Sequence, residues 1–222
     1  VVFLAAPLLV NDYLLTILIL IFYFAYTAQA WNIMMGFAGQ LSLGHALYVG
    51  LGAYTTAALY VHFGVAPWLG LPVAIVVSAL VGAFLGFLAF RFQVSGVYFA
   101  ILTIAFAEFA RIGFDHFRWV GGSAGFFLPV ANYTQNDLWN LRGKPVMLYY
   151  VMMALTVAAL VACHMLLKSR IGYFWQAIRE DEIAARALGI DTFRYKMIAV
   201  VLSAGMTSVA GVFFAFYYNN LF

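Results

Sequence analysis

Pro67-Trp-Leu-Gly-Leu-Pro-Val-Ala-Ile-Val-Val-Ser-Ala-Leu-Val-Gly-Ala-Phe-Leu-Gly-Phe-Leu-Ala-Phe90 runs without a single charged side chain. As a helix rising 1.5 Å per residue it measures roughly 36 Å, enough to cross the roughly 30 Å hydrocarbon core of a bilayer. Five further apolar stretches, at 13–35, 45–62, 96–117, 146–167 and 196–217, are close to the same length. The apolar run at 1–10 rises about half that thickness and reads as the trailing half of a helix that begins outside this sequence. The count comes to about seven membrane segments. The expected fold is therefore all-α: a polytopic transmembrane helix bundle, one domain over 1–222, truncated at the N-terminus and open to truncation at the C-terminus.

Composition supports the lipid reading. Hydrophobic residues make up 66% of the chain and charged residues 9%, with a mean hydropathy of +0.99. A soluble domain carries about a quarter charged residues to cover its surface. The net charge of +3 comes from eleven Lys and Arg spread over loops, with no basic stripe for nucleic acid. Counting them by alternate loops sets an orientation. Arg91, Lys168, Arg170, Arg179, Arg186, Arg194 and Lys196 fall on one side; Arg111, Arg118, Arg142 and Lys144 fall on the other. Seven against four places 168–196 in the cytoplasm and 118–145 outside.

Small residues recur four apart: Ser78, Gly82 and Gly86 on one span, Ser203, Thr207, Gly211 and Ala215 on another. Each set occupies one helical face, where the lack of bulk lets a neighbouring backbone approach. These stripes speak for a tight bundle and carry no substrate information.

Three stretches carry polar chemistry. The first is Trp31-Asn-Ile-Met-Met-Gly-Phe-Ala-Gly-Gln-Leu-Ser-Leu-Gly-His45, where Gly36, Gly39 and Gly44 surround Gln40 and Ser42. Its helix propensity is low, and two readings stand: a broken or re-entrant segment beside a solute path, which membranes tolerate only when protein or a watery cavity surrounds it, or a short cytoplasmic hairpin turn. The second, at 95–111, places Glu108 as the one acidic residue well inside a span, with Arg111 three residues on. An intramembrane carboxylate is a functional-site hypothesis by default; the alternative is a charge pair near the outer helix end, snorkelling to the interface. The third lies at 168–195. From Gln176 to Leu188 it has the composition of one short amphipathic helix, stopped by Gly189, whose mixed charges favour docking on a protein partner.

Catalytic and cofactor motifs are missing from the sequence. The lone Cys163 reads as a buried apolar residue. His45, His62, His116 and His164 are scattered without a chelating pair. Gly143-Lys144 lacks a phosphate loop's upstream glycine, and no serine sits in a nucleophile elbow. A non-enzymatic chain without metal or cofactor is expected.

The run Gly36-Phe-Ala-Gly-Gln-Leu-Ser-Leu-Gly-His-Ala-Leu-Tyr-Val-Gly-Leu-Gly-Ala-Tyr54 resembles the permease subunits of branched-chain amino acid ABC importers, of the LivM type in the LivH/LivM family. The stretches 96–108, Gly121-Gly-Ser-Ala-Gly125 and Ala177-Ile-Arg-Glu-Asp-Glu-Ile-Ala-Ala-Arg-Ala-Leu-Gly189 fit it in the same order. The resemblance implies a multi-pass subunit of a bacterial cytoplasmic membrane importer. Its partners would be a second related permease, cytoplasmic ATP-binding subunits and an extracytoplasmic substrate-binding protein. It makes 168–195 an EAA-like coupling loop that docks on the ATPase, with Arg179, Glu182, Ala184, Ala185 and Gly189 as its residues. Ala184-Ala185 and Gly189 keep the usual spacing, while position 183 is Ile and the acidic residue is displaced to Glu182, which puts that residue's own role in doubt. Gly36, Gly39, Gln40, Ser42, Gly44, Tyr98 and Glu108 are then the expected translocation-path residues. Urea, short amides or other amino acids remain alternative cargoes for the same machinery, and an ion-coupled carrier acting alone is a more distant alternative.

Overall fold

A computed structural model describes residues 2–94, 96–129 and 136–221. Ser95, which opens the second polar stretch, and 130–135 of the expected outward loop lie outside the described residues. Each apolar stretch is a helix. After α1 (Val2–Leu9) come α2 (Asp12–Asn32), α3 (His45–Phe63), α4 (Pro67–Arg91) and α5 (Val97–His116). Then follow α6 (Pro145–Lys168), α7 (Arg170–Glu180), α8 (Glu182–Ala187) and α9 (Thr192–Tyr218). Among the described residues, five helices are long and apolar enough to cross a membrane: α2 with its continuation to Phe37, α4, α5, α6 and α9. The sixth long helix, α3, carries Tyr48, Tyr54, Thr55, Thr56 and Tyr60 and is correspondingly less apolar.

The long helices alternate in direction and gather their ends into two groups. At one end lie the stretch after α2, the C-terminus of α4, and α7 with α8. Lys196 at the start of α9 sits 4.6 Å above the Phe90 ring there. At the other end, the described parts of the connection from α5 to α6 lie against the helix tips. His62 stacks on Trp119 at 4.6 Å, Trp68 Nε1 donates to the Leu138 carbonyl at 2.8 Å, and β1 (Phe126–Phe127) pairs antiparallel with β2 (Asn220–Leu221). The basic residues therefore divide between the two ends as the loop count expects.

α9 is the central post. In its apolar window 61% of residues are buried, against 17% for α5, which leaves one whole face of α5 open. The small-residue stripes explain the centre. A β-carbon added at Gly82 would lie 2.8 Å from that of Ala204, and one at Gly211 would lie 2.0 Å from the Val49 carbonyl oxygen. Bulk at either position would push α4 or α3 off α9 and break the close backbone approach on which packing in lipid depends.

α1 shows how a helix defect is repaired. Pro7 lacks the N–H that would reach the Phe3 carbonyl. Tyr149 on α6 donates its hydroxyl to that carbonyl at 2.7 Å instead, and Tyr150 reaches the Leu4 carbonyl at 2.9 Å.

The expected single helix over 176–188 is two helices. α7 begins earlier, at Arg170, where Ser169 Oγ accepts from the Gly172 amide at 3.3 Å. The break falls at Asp181, whose backbone is extended (φ −153°, ψ 106°). Its carboxylate accepts from the amides of Ile183 at 2.8 Å and Ala184 at 2.9 Å, starting α8 afresh. An Asp cap exchanges helix continuity for satisfied N-terminal amides. Ile178 on α7 is buried and Ile183 on α8 is exposed.

Candidate functional site

The stretch 38–44 folds back into the bundle. α2 ends in a π-helical turn, Ile33–Phe37, and the chain then reverses. Trp31 Nε1 donates to the Ser42 carbonyl at 2.8 Å. The Leu43 amide donates to Thr103 Oγ1 on α5 at 3.1 Å. His45 Nε2 and Ser203 Oγ on α9 lie 2.9 Å apart, and that hydroxyl donates to the Ala30 carbonyl at 2.7 Å. Ser42 is therefore level with Trp31, roughly 9 Å back from Phe37 at 1.5 Å per residue. Of the two readings of the sequence, the geometry is that of the re-entrant segment, and α3 starts inside the bundle.

Two glycines permit this path. Gly39 has φ +68° and its α-carbon lies where a side chain would meet Arg179. At Gly44 a β-carbon would be 2.2 Å from the Thr103 carbonyl oxygen. Gln40 is buried and folds onto its own backbone, its Nε2 donating to the Ala38 carbonyl at 3.0 Å. Among the described residues, Ser42 Oγ and His45 Nδ1 are buried without a hydrogen-bond partner, a rare condition that marks a place able to take a polar guest. Thr103, His45 and Ser203 belong to this cluster and sequence reasoning missed their roles; a hydroxyl in an apolar run was the available signal.

The expected path residues divide into two places. Gly36, Gly39, Gln40, Ser42 and Gly44 share the re-entrant segment. Tyr98 and Glu108 stand on the exposed face of α5, Tyr98 toward the α7–α8 end and Glu108 further along. Two hollows lie near these places. A cleft of about 270 Å³ between α3 and α5 holds Glu108, Arg111, Tyr54 and Asp115. A hollow of about 450 Å³ beside α2 is lined by Phe24, Thr27, Trp31, Ser42 and His45, and Ala46 borders both.

The residues expected in the coupling loop also differ in their surroundings. Arg179 Nη1 donates to the Gly36 carbonyl at 2.7 Å while Nη2 holds Glu180 at 2.8 Å. Glu182 faces its own chain: Lys196 Nζ lies 3.0 Å from both its oxygens, and Arg186 Nη2 is 2.9 Å away. Burial works to raise the Glu182 pKa, but hydrogen bonds and charge from Lys196, aided by Thr192 and Arg186, outweigh it and hold the carboxyl below its ordinary range. Ala185 is buried, Ala184 exposed, and Gly189 (φ +85°) closes α8 in open space. Ile183 and Leu188 project outward, 81% and 82% exposed.

Among the described residues no group of three or more His, Cys, Asp or Glu is placed to hold a metal ion. Cys163 is buried.

A family model described as the branched-chain amino acid transport system permease component matches residues 13–222. The chain is 35% identical over 205 aligned residues to the high-affinity branched-chain amino acid transport system permease protein LivM of Salmonella typhimurium, covering 83% of this chain and 48% of that protein. It is 34% identical, with the same coverage, to the protein of that name from Escherichia coli. The chain thus spans about half the length of the curated relatives it matches. No solved structure matches. With a match running from α2 to the end of the sequence, over several apolar membrane helices and a bundle centred on α9, this multi-pass membrane chain belongs to the family of permease components of branched-chain amino acid transport systems.

Proposed function

We propose that the chain forms half of a translocation path for branched-chain amino acids in an ATP-driven importer of the bacterial cytoplasmic membrane. It carries no catalysis of its own. ATP is hydrolysed by cytoplasmic subunits docked on α7 and α8, a second related permease covers the open face of α5, and an extracytoplasmic binding protein delivers cargo over the β1–β2 end. Gly36, Gly39, Gln40, Ser42, Gly44, Tyr98 and Glu108 belong to the path in this reading.

One observation carries it: the docking loop and the re-entrant segment touch. Ile183 on α8 and Leu188 just past its end offer two exposed apolar side chains, the kind that inserts into a partner's groove. Behind them Arg179 grips the Gly36 carbonyl, and Glu182 grips Lys196 on α9. A push on α8 therefore reaches both the start of the re-entrant stretch and the central helix, which holds its other end through Ser203 and His45. Arg179 and Glu182 serve as internal struts in this scheme, and the exposed Ile183, Ala184 and Leu188 face the ATPase.

The test is uptake of radiolabelled leucine by cells lacking their own system and supplied with the complete transporter. ATP-dependent entry that requires the ATP-binding subunit, and copurification of that subunit with the chain, support the reading. Entry of urea or an amide in place of leucine moves the cargo and keeps the machinery. Uptake that persists without any ATPase subunit defeats the importer reading.

A further inference from the structure

The cleft between α3 and α5 has two chemical halves. One wall is apolar: Ala46, Leu47, Ala107 and Ala110. The other is a line of charge on α5, where residues three and four apart share a face. Arg111 Nε lies 3.1 Å from both Glu108 oxygens, Nη2 reaches Glu108, and Nη1 lies 3.1 Å from Asp115. Glu108 and Arg111 are exposed and Asp115 half-buried on a helix that is long and apolar enough to span the membrane. Such charges are costly against lipid, so this face meets water or protein.

The arrangement leaves specific valences open. A guanidinium has five N–H donors; Nε and one hydrogen on each terminal nitrogen are used, which leaves one on Nη1 and one on Nη2 for an incoming carboxylate. Two carboxylates against one guanidinium leave the cleft at a net charge of −1, so a carboxylate enters it only together with an ammonium group, as in a zwitterion, and the net charge is then unchanged. Tyr54 stacked on Phe114 at 4.4 Å closes the end beside Asp115. The volume, about 270 Å³, lies just under the roughly 300–1,000 Å³ of sites for drug-sized molecules and suits one amino acid.

We infer that this cleft is a cargo site for a single zwitterionic amino acid with an apolar side chain. Its carboxylate lies on Arg111, its ammonium on Asp115, of which only Oδ2 faces Arg111, and its side chain against the wall of Ala46, Leu47, Ala107 and Ala110. This deepens, and rests on, the importer reading above. Gly50 sets the room for the side chain: it borders the cleft, and a β-carbon there meets nothing within 4 Å.

The experiment uses the full-length chain assembled with its partners, and measures leucine and alanine uptake side by side. Gly50→Val, whose β-carbon enters open space beside the cleft, is expected to lower the leucine-to-alanine uptake ratio at least tenfold. Arg111→Gln is expected to lower uptake of both at least tenfold while the loaded binding protein still stimulates ATP hydrolysis. A Gly50→Val complex that imports leucine with the wild-type ratio overturns the proposal alone. If Arg111→Gln fails to assemble, the Gly50→Val ratio decides. A wild-type complex with no ATP-dependent amino acid uptake defeats the parent reading, and this one with it.

Discussion

Arg179 Nη1 sits 2.7 Å from the carbonyl oxygen of Gly36, joining α7 to the turn where α2 gives way to the re-entrant segment. The bond crosses 143 positions of sequence and links α7 to the bundle. Gly39 lies against the aliphatic stem of the same side chain, so guanidinium and stem grip the segment at two points.

If that grip transmits motion, Arg179→Ala separates hydrolysis from transport. A hydrogen bond from a charged donor contributes about 1.5–3 kcal/mol, so leucine uptake should fall at least about tenfold while ATP hydrolysis by the assembled complex persists. Arg179→Lys should recover part of the uptake, since an ammonium reaches one acceptor where the guanidinium holds two. Parallel loss of uptake and hydrolysis would assign Arg179 to ATPase docking instead.

The Glu182–Lys196 pair predicts a pH dependence. Lys196 is only 7% exposed and Glu182 29%, so removing the carboxylate strands a buried ammonium. The Glu182 pKa is held below its unfolded value by Lys196 against the opposing effect of burial. A depressed carboxylate pKa stabilises the fold above the unfolded value, and that stabilisation is lost as pH falls through the folded one. The α8–α9 junction should therefore hold at neutral pH and loosen below the ordinary carboxylate range, about pH 4. Hydrogen exchange of the α8 amides should show this in wild type and not in Glu182→Gln. At neutral pH that variant should lose about 1–3 kcal/mol, discounted for the partial exposure of Glu182. Adding Lys196→Met should recover much of the loss.

Much of this fold was legible because lipid imposes a length: runs such as 67–90 and 146–167 became helices within two residues of the expected ends. The small-residue stripes found their partners for the same reason, since only close backbones pack well without a hydrophobic drive between helices. The site was less legible. Glu182, whose own role the sequence left open, pairs with Lys196, and that pairing joins positions whose proximity depends on the break at Asp181. That break was itself hidden: Asp181 inside a charged helical run looks like any polar-face residue until its carboxylate caps α8. Thr103 and Ser203 meet the re-entrant segment through contacts 60 to 158 positions apart in sequence, which no local pattern encodes.

Gly44 and Gly50 predict opposite responses to the same methyl group. At Gly44 it would lie 2.2 Å from the Thr103 carbonyl, a backbone atom that moves only if α5 shifts. Gly44→Ala should cost about 1–3 kcal/mol or more as overpacking, seen as a lowered Tm of the purified chain in detergent. At Gly50 the methyl enters open space, and replacing a mid-helix glycine should be neutral or stabilise by about 0.5–1 kcal/mol. Equal shifts at the two positions would mean that the close approach at Gly44 is absent in the membrane.

Ile183 distinguishes docking from folding. It is 81% exposed on α8, and its amide, not its side chain, is what the Asp181 cap holds. Ile183→Asp should therefore leave the chain's Tm almost unmoved, within about 0.5 kcal/mol of stability. An apolar anchor seated in a partner's pocket, by contrast, contributes about 2 kcal/mol or more to binding, so affinity for the ATP-binding subunit should drop at least about 30-fold. Copurification measures the second effect and thermal unfolding the first. Undiminished recovery of the ATPase would take the docking role away from α8, and an equally lowered Tm would place Ile183 in the fold of the loop.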